Sequence, residues 1–261
     1  MFEYPKAPWS QATAPASECF LGVPTRNRVN SNTVSRLLQI QKQNPDLLVH
    51  IEVSGISVSH TKNALVKRFL DTDKKYFFCV DDDVAPRLTL LQMADLDYDI
   101  VGGTYFIVTP QMNLPFPGVF VWTSDYSHEE QGYYSVISDV FGKSGVVECD
   151  AVASGNLMVK RAVFEHPEMK APFNVRTDED GLTKWSDDTS FCHRAKVEGF
   201  RVAADFSQHA DHLPDSLSLN LNHSRLLSFV RQMARNPLPS GPAPLVTLAD
   251  PAARLGSLVL G

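Results

Sequence analysis

A chain of 261 residues, 43% apolar and 21% charged, has the length and composition of a soluble globular protein with one large α/β domain or two small ones. A net charge of −6 and the lack of a long Lys/Arg cluster argue against a nucleic-acid-binding surface. No apolar stretch approaches the length of a membrane span, and Met1-Phe2-Glu3-Tyr4-Pro5-Lys6 lacks the charged-then-apolar order of a secretory signal, so a cytoplasmic location is expected.

Residues 1–17, rich in Pro, Ala and Ser, read as an irregular lead-in to a domain spanning 18–213. Residues 19–23 predict a short apolar strand ending in the polar loop Pro24-Thr25-Arg26-Asn27-Arg28. Ser31, Asn32 and Thr33 are N-cap candidates for a helix that presents Val34, Leu37, Leu38 and Ile40 and stops at Asn44-Pro45. A second strand over 47–53 and a second helix over 61–70, with Leu65 and Phe69 on one face, follow. The third strand, 76–80, runs Tyr76-Phe77-Phe78-Cys79-Val80 straight into Asp81-Asp82-Asp83. Such alternation predicts right-handed βαβ units around a mostly parallel sheet. The continuous apolar run of the third strand suits burial on both faces of that sheet.

Residues 90–97 predict a helix and 100–106 a fourth strand. Between 107 and 143 the pattern weakens, which suits a variable, irregular segment lying over a site and facing an acceptor. Regularity returns over 146–159, interrupted by Ala153-Ser154-Gly155-Asn156. Asp178-Glu179-Asp180-Gly181 predicts a hairpin turn, and Asp187-Asp188 open a helix that Gly199 closes. A last strand over 200–204 leads to His209 and His212. Residues 214–261 form a C-terminal extension with a helical stretch at 224–235 and a Pro/Gly-rich break, suited to self-association as a homo-oligomer. The four cysteines, Cys19, Cys79, Cys149 and Cys192, form no Cys-x-x-Cys pair and predict buried thiols in a reducing compartment.

Neither a Gly-x-x-x-x-Gly-Lys-Ser/Thr loop nor Gly-x-Gly-x-x-Gly is present, so P-loop and dinucleotide-binding chemistry have no support. Three polar clusters stand at strand ends or helix starts: Asp81-Asp82-Asp83, Asp187-Asp188, and 209–212. Three adjacent carboxylates repel unless a cation or hydrogen-bond donors compensate, and hard divalent ions that bridge to phosphate do so. Acids at the end of such a strand stand where open α/β sheets bind ligands. Each cluster also has a plain structural reading, as an acidic turn, a helix cap or a surface histidine.

Taken in order, the clusters resemble a GT-A fold glycosyltransferase of the large inverting family called family 2. The matching residues are Pro24-Thr25-Arg26-Asn27-Arg28, Lys62-Asn63-Ala64-Leu65, Val80-Asp81-Asp82-Asp83-Val84, Val101-Gly102-Gly103-Thr104-Tyr105-Phe106, the stretch 151–161, Ser186-Asp187-Asp188-Thr189-Ser190-Phe191-Cys192 and His212. The resemblance implies a Rossmann-like GT-A domain that moves a sugar from a UDP- or GDP-linked donor to a hydroxyl of a protein, small molecule or modified nucleic acid. It implies that Pro24, Thr25, Arg28, Lys62, Asp81 and Asp82 bind the donor, with Asp82 the spacer of the Asp-x-Asp motif. Asp81, Asp83 and His212 would hold Mn²⁺ or Mg²⁺, Asp188 would be the general base, and Gly155 and Asp187 would lie on the acceptor side. Lys62 stands where the family has Arg, and Asp187 where it has Glu. Two alternatives remain. One is a haloacid-dehalogenase-like phosphohydrolase with Asp81 as nucleophile and Asp83 as acid/base, although that motif normally sits on a first strand. The other is a non-catalytic nucleotide-sugar-binding protein.

Overall fold

The computed structural model describes residues 14–213 apart from 110–111, 124–133 and 137–144. The lead-in before residue 14 and the expected extension 214–261 lie outside the described residues. In chain order the first half comprises β1 (Cys19–Thr25), α1 (Ser31–Gln43), β2 (Leu48–Val53), α2 (Val58–Leu70), β3 (Tyr76–Val80), β4 (Val84–Ala85), β5 (Ile100–Gly103), β6 (Phe106–Thr109), β7 (Met112–Pro117) and β8 (Val119–Trp122). The second half comprises β9 (Tyr134–Val136), β10 (Val146–Glu148), β11 (Ala151–Val152), β12 (Asn156–Lys160), α3 (Arg161–Glu165), β13 (Arg176–Thr177), β14 (Thr183–Trp185), α4 (Asp187–Val197), β15 (Val202–Asp205) and β16 (Asp211–His212).

A seven-stranded sheet in the order β10-β15-β5-β12-β3-β1-β2 forms the centre. Strands β2, β1, β3, β5 and β15 run one way; β12, between β3 and β5, and the edge strand β10 run the other. The mixed α/β, Rossmann-like arrangement expected of a GT-A domain is thus present. Alternate residues of each central strand enter two separate cores. Phe77 and Cys79 face the core beneath α2, α3 and α4, with Phe20, Phe69, Phe164, Phe173 and Phe191. Phe78 and Val80 face the core beneath α1, with Leu21, Leu37, Ile40, Leu90 and Met93. Burial on both faces is why the third strand reads as an unbroken apolar run, and each fully buried Phe contributes roughly 2–3 kcal/mol.

Several expectations shift at their edges. The N-cap of α1 is Asn30, whose side chain accepts from the Asn32 amide, so Ser31, Asn32 and Thr33 are its first turn. Its buried stripe is Thr33, Leu37 and Ile40, whereas Val34 and Leu38 face solvent, because the stripe facing the sheet is narrow. Helix α2 begins at Val58, with the Ser57 hydroxyl accepting from the His60 amide. Residues 90–95 form a 3₁₀ segment, and the expected fourth strand ends at Gly103 before the chain turns into β6.

Within 107–143, where an irregular segment was expected, the described residues differ: β6 pairs with β7, and β8 lies between β9 and β11, all antiparallel. The hairpin at 178–181 is present, joining β13 to β14, with Gly181 at φ +79°. Gly199, at φ +86°, closes α4 as expected. All four cysteines are buried and free. Among the described residues no helix is long and apolar enough to cross a membrane.

Candidate active site

Parallel strands β1 and β3 end at the same edge of the sheet, and the loops that follow converge there. The Asn30 amide donates to the Asp82 carbonyl at 2.8 Å, fixing the loop after β1 against the acidic triplet. Within that loop the Thr25 hydroxyl donates to the Arg28 carbonyl at 2.7 Å and accepts from its amide at 3.1 Å. Pro24 and Thr25 are buried and Arg28 is exposed, so of this expected donor-binding set Arg28 has the accessible side chain. The triplet itself is a tight turn in which the Val84 amide donates to the Asp81 carbonyl.

The turn before β12 closes over Asp81 from the other side. The Asp81 amide donates to the Gly155 carbonyl at 3.1 Å, and the Gly155 amide donates to the Tyr105 hydroxyl at 3.0 Å. A Cβ on Gly155 would lie 2.6 Å from that hydroxyl and 2.7 Å from Asp81 Oδ2. Glycine is needed here for the protein's own packing around Asp81, and it sits in a turn. Tyr105, unmarked in the sequence reading except as part of the Gly-Gly-Thr-Tyr-Phe stretch, also packs edge-on against His212 with ring centres 5.4 Å apart.

Lys62 is the largest departure from expectation. It is 3% exposed and lies inside the protein, not on a surface facing a diphosphate. Its Nζ donates to Ser154 Oγ at 2.5 Å, and it stands 3.4 Å from Asp187 Oδ2 and 3.9 Å from Asp81 Oδ1. Burial alone would drive its proton off, but Asp81 and Asp187 outweigh that and hold its pKa above the ordinary lysine value. The Ser59 hydroxyl also donates to Asp187 Oδ2, at 3.2 Å. Asp187, expected on the acceptor side, therefore spends its Oδ2 on α2 and fastens the start of α4 to Lys62. Ser59 carries no signal in the sequence that separates it from other serines, and Ser154 was marked only as part of the stretch 151–161.

One residue on, Asp188 Oδ1 accepts from the Ser186 hydroxyl and, at 2.8 Å, from the Thr189 amide. Burial, and then the neighbouring Asp187 charge, raise its pKa, only partly countered by Lys62. Burial likewise pushes Asp81 up to about 6, against the pull of Lys62, with Asp83 and Asp187 adding to the rise. Its Oδ1 is buried without a hydrogen-bond partner. The centre thus holds one buried cation among Asp81, Asp187 and Asp188, an excess of negative charge that a bound cation or donor would relieve.

His212 arrives on the two-stranded ribbon of β4 and β16, which pairs it with Val84, next to the triplet. The Leu213 amide donates to the Asp83 carbonyl at 2.7 Å. His212 Nδ1 donates to the Phe106 carbonyl at 2.8 Å, and Nε2 stands 3.3 Å from Asp83 Oδ2, where the ring pairs with the carboxylate. Burial lowers the pKa of His212, but Asp83 and then Phe106 outweigh it and raise it. One carboxylate oxygen and one imidazole nitrogen at a shared point suit Mn²⁺ or Mg²⁺ completed by diphosphate oxygens. Among the described residues no three His, Cys, Asp or Glu side chains are arranged to share one ion. The expected set of Asp81, Asp83 and His212 is therefore a pair, Asp83 with His212, plus a separate Asp81 carboxylate beside Lys62. His209 points elsewhere, against Arg87.

No protein-family profile and no curated protein matches the sequence. Among solved structures the chain is similar to A197 from STIV, at 16% identity and a TM-score of 0.50, covering 79% of this chain and 95% of that one. It is also similar to GalNAc-T7, solved with UDP, GalNAc and Mn²⁺, at 12% identity and a TM-score of 0.42, covering 84% of this chain and 42% of that one. A third similarity is to S. aureus TarS 1-349, at 12% identity and a TM-score of 0.38, covering 74% of this chain and 59% of that one. The likeness to A197 bears on the fold alone, and the two weaker ones carry no argument about this chain.

Proposed function

We propose that the protein is a metal-dependent, inverting glycosyltransferase using a UDP- or GDP-linked sugar, with Asp188 as general base. The single observation that supports it most is the Lys62 cluster, which ties the acidic strand end to Asp187 at the start of α4, so that the charge of Asp188, the next residue, acts on Asp81. In this reading Pro24, Thr25, Arg28, Asp81 and Asp82 border the donor, and Lys62 positions Asp81 and Asp187 from within. Asp83 and His212 would hold the ion, which when bound supplies Lewis-acid stabilisation to the leaving diphosphate. Asp188 accepts the proton of the acceptor hydroxyl as its oxygen bonds to the anomeric carbon and the bond to the diphosphate breaks. The raised pKa of Asp188 makes it a better proton acceptor than an ordinary carboxylate. The proposal retains a soluble acceptor and a cytoplasmic location, with which four buried free thiols agree.

Thermal melting of the wild-type chain with UDP, GDP and their sugar conjugates, with and without Mn²⁺, tests the assignment. A nucleotide at about 100 times its Kd adds about 2.7 kcal/mol of stability. That gain is expected only with the metal, and it should vanish in Asp83→Asn. Absence of nucleotide stabilisation under every condition, or phosphatase activity abolished by Asp81→Asn, would replace this reading with one of the alternatives.

A further inference from the structure

The ribbon that carries His212 has a second face. Neighbouring residues of a strand point to opposite sides, so while His212 turns to Asp83, the preceding Asp211 turns away from it. On that far side lies a cleft of about 390 Å³ whose walls include Arg36 from α1, Ala85, Arg87, Thr89, His209 and Asp211. This is within the size range of small-ligand sites.

Two guanidinium groups, Arg36 and Arg87, and one carboxylate, Asp211, stand on the walls. His209 is neutral, because burial, and then Arg87, push its pKa down to about 4. Arg87 Nη2 lies 2.7 Å from Nε2 of the His209 ring, a neutral imidazole that can accept one hydrogen bond from that guanidinium. Thr89 donates its hydroxyl to Gln208 Oε1 at 3.0 Å, so that donor is used within the protein. Arg36 is half-buried and makes no hydrogen bond or ion pair with any described residue, Asp211 acting on it only at longer range. A partly desolvated guanidinium with its forked donors unspent is a receptor for a planar or tetrahedral oxyanion.

We propose that this cleft binds a small molecule through a phosphate or carboxylate group, at a site separate from the donor pocket and backed onto it by the β4–β16 ribbon. None of the residues assigned to the donor, the ion or the base lines it. Two cations from different elements, α1 and the segment after β4, converge on one cavity, which a solvated surface charge would not require.

The test is titration of the full-length protein with inorganic phosphate and, separately, acetate, followed by calorimetry at low salt. Wild type is expected to bind one of the two, the preferred anion identifying a phosphoester or a carboxylate as the natural group. Arg36→Gln should weaken that binding by about tenfold or more, Arg36→Lys, which keeps the charge but loses the fork, should weaken it by less than Arg36→Gln, and Arg28→Gln, in the proposed donor pocket, should leave it unchanged. Unaltered melting temperatures of the Arg36 variants separate lost binding from lost folding. Equal affinity in wild type and Arg36→Gln, loss of binding in Arg28→Gln alone, or no binding of either anion up to about 10 mM would overturn the proposal.

Discussion

The two ends of strand β3 have opposite energetics. At Phe77 the side chain has no exposure and its ring lies 5.4 to 5.8 Å from those of Phe164, Phe69 and Phe20. Four residues later Asp81 carries a buried oxygen with no hydrogen bond and a pKa pushed up to about 6. One end of the strand stabilises the fold, and the other end holds charge the fold does not fully compensate. Groups that a protein keeps at a cost to its own stability are candidates for binding and chemistry.

That contrast breaks most sharply at its apolar end. Phe77→Ala leaves a cavity among three other rings and should cost about 4 kcal/mol in denaturant unfolding, with nucleotide binding unchanged in whatever fraction remains folded. Lys62→Met should cost nearly as much, about 3 kcal/mol, because Asp81 and Asp187 then lose their shared buried cation. Unlike Phe77→Ala, it should also abolish nucleotide binding. A Lys62→Met protein as stable as wild type would mean the cluster is solvated.

The smallest effect has the opposite sign and depends on pH. The Asp81 carboxyl holds its proton more tightly in the folded chain, so its contribution to stability is complete below about pH 4 and is lost as pH rises through about 6. Asp81→Asn removes that loss. In metal-free buffer it should therefore raise stability by about 1 kcal/mol at pH 8, or roughly 2–4 °C in melting temperature, and change little at pH 4. Destabilisation at pH 8 would show that Lys62 depends on Asp81 more than the acids repel one another.

How much of this was legible beforehand depended on the range of the interactions. Strand β3 and its acids were read at their observed bounds, because burial on both faces writes itself into five consecutive residues. The helix opened by Asp187 and the hairpin turn at Gly181 were legible from local chemistry, an acidic first turn and a residue suited to positive φ. The strands within 107–143 were not, since short antiparallel pairs closed by turns leave too few alternating residues to count. His212 was found by resemblance, but the two-residue ribbon that delivers it to Asp83 has no periodicity at all. Lys62 was placed at the donor by resemblance, and nothing local in the sequence marks it as buried. Its burial depends on Ser154 and Asp187, 92 and 125 positions away in the chain.

The assignment of Asp188 as the base is tested most directly by Asp188→Asn. Donor affinity, measured by calorimetry with Mn²⁺ present, should match wild type, because neither the proposed ion pair nor the donor loop is altered. Release of nucleoside diphosphate from the bound donor sugar should fall by about 10² to 10⁴-fold. Release at the wild-type rate in a variant that binds donor normally would contradict the account and remove Asp188 from the chemistry.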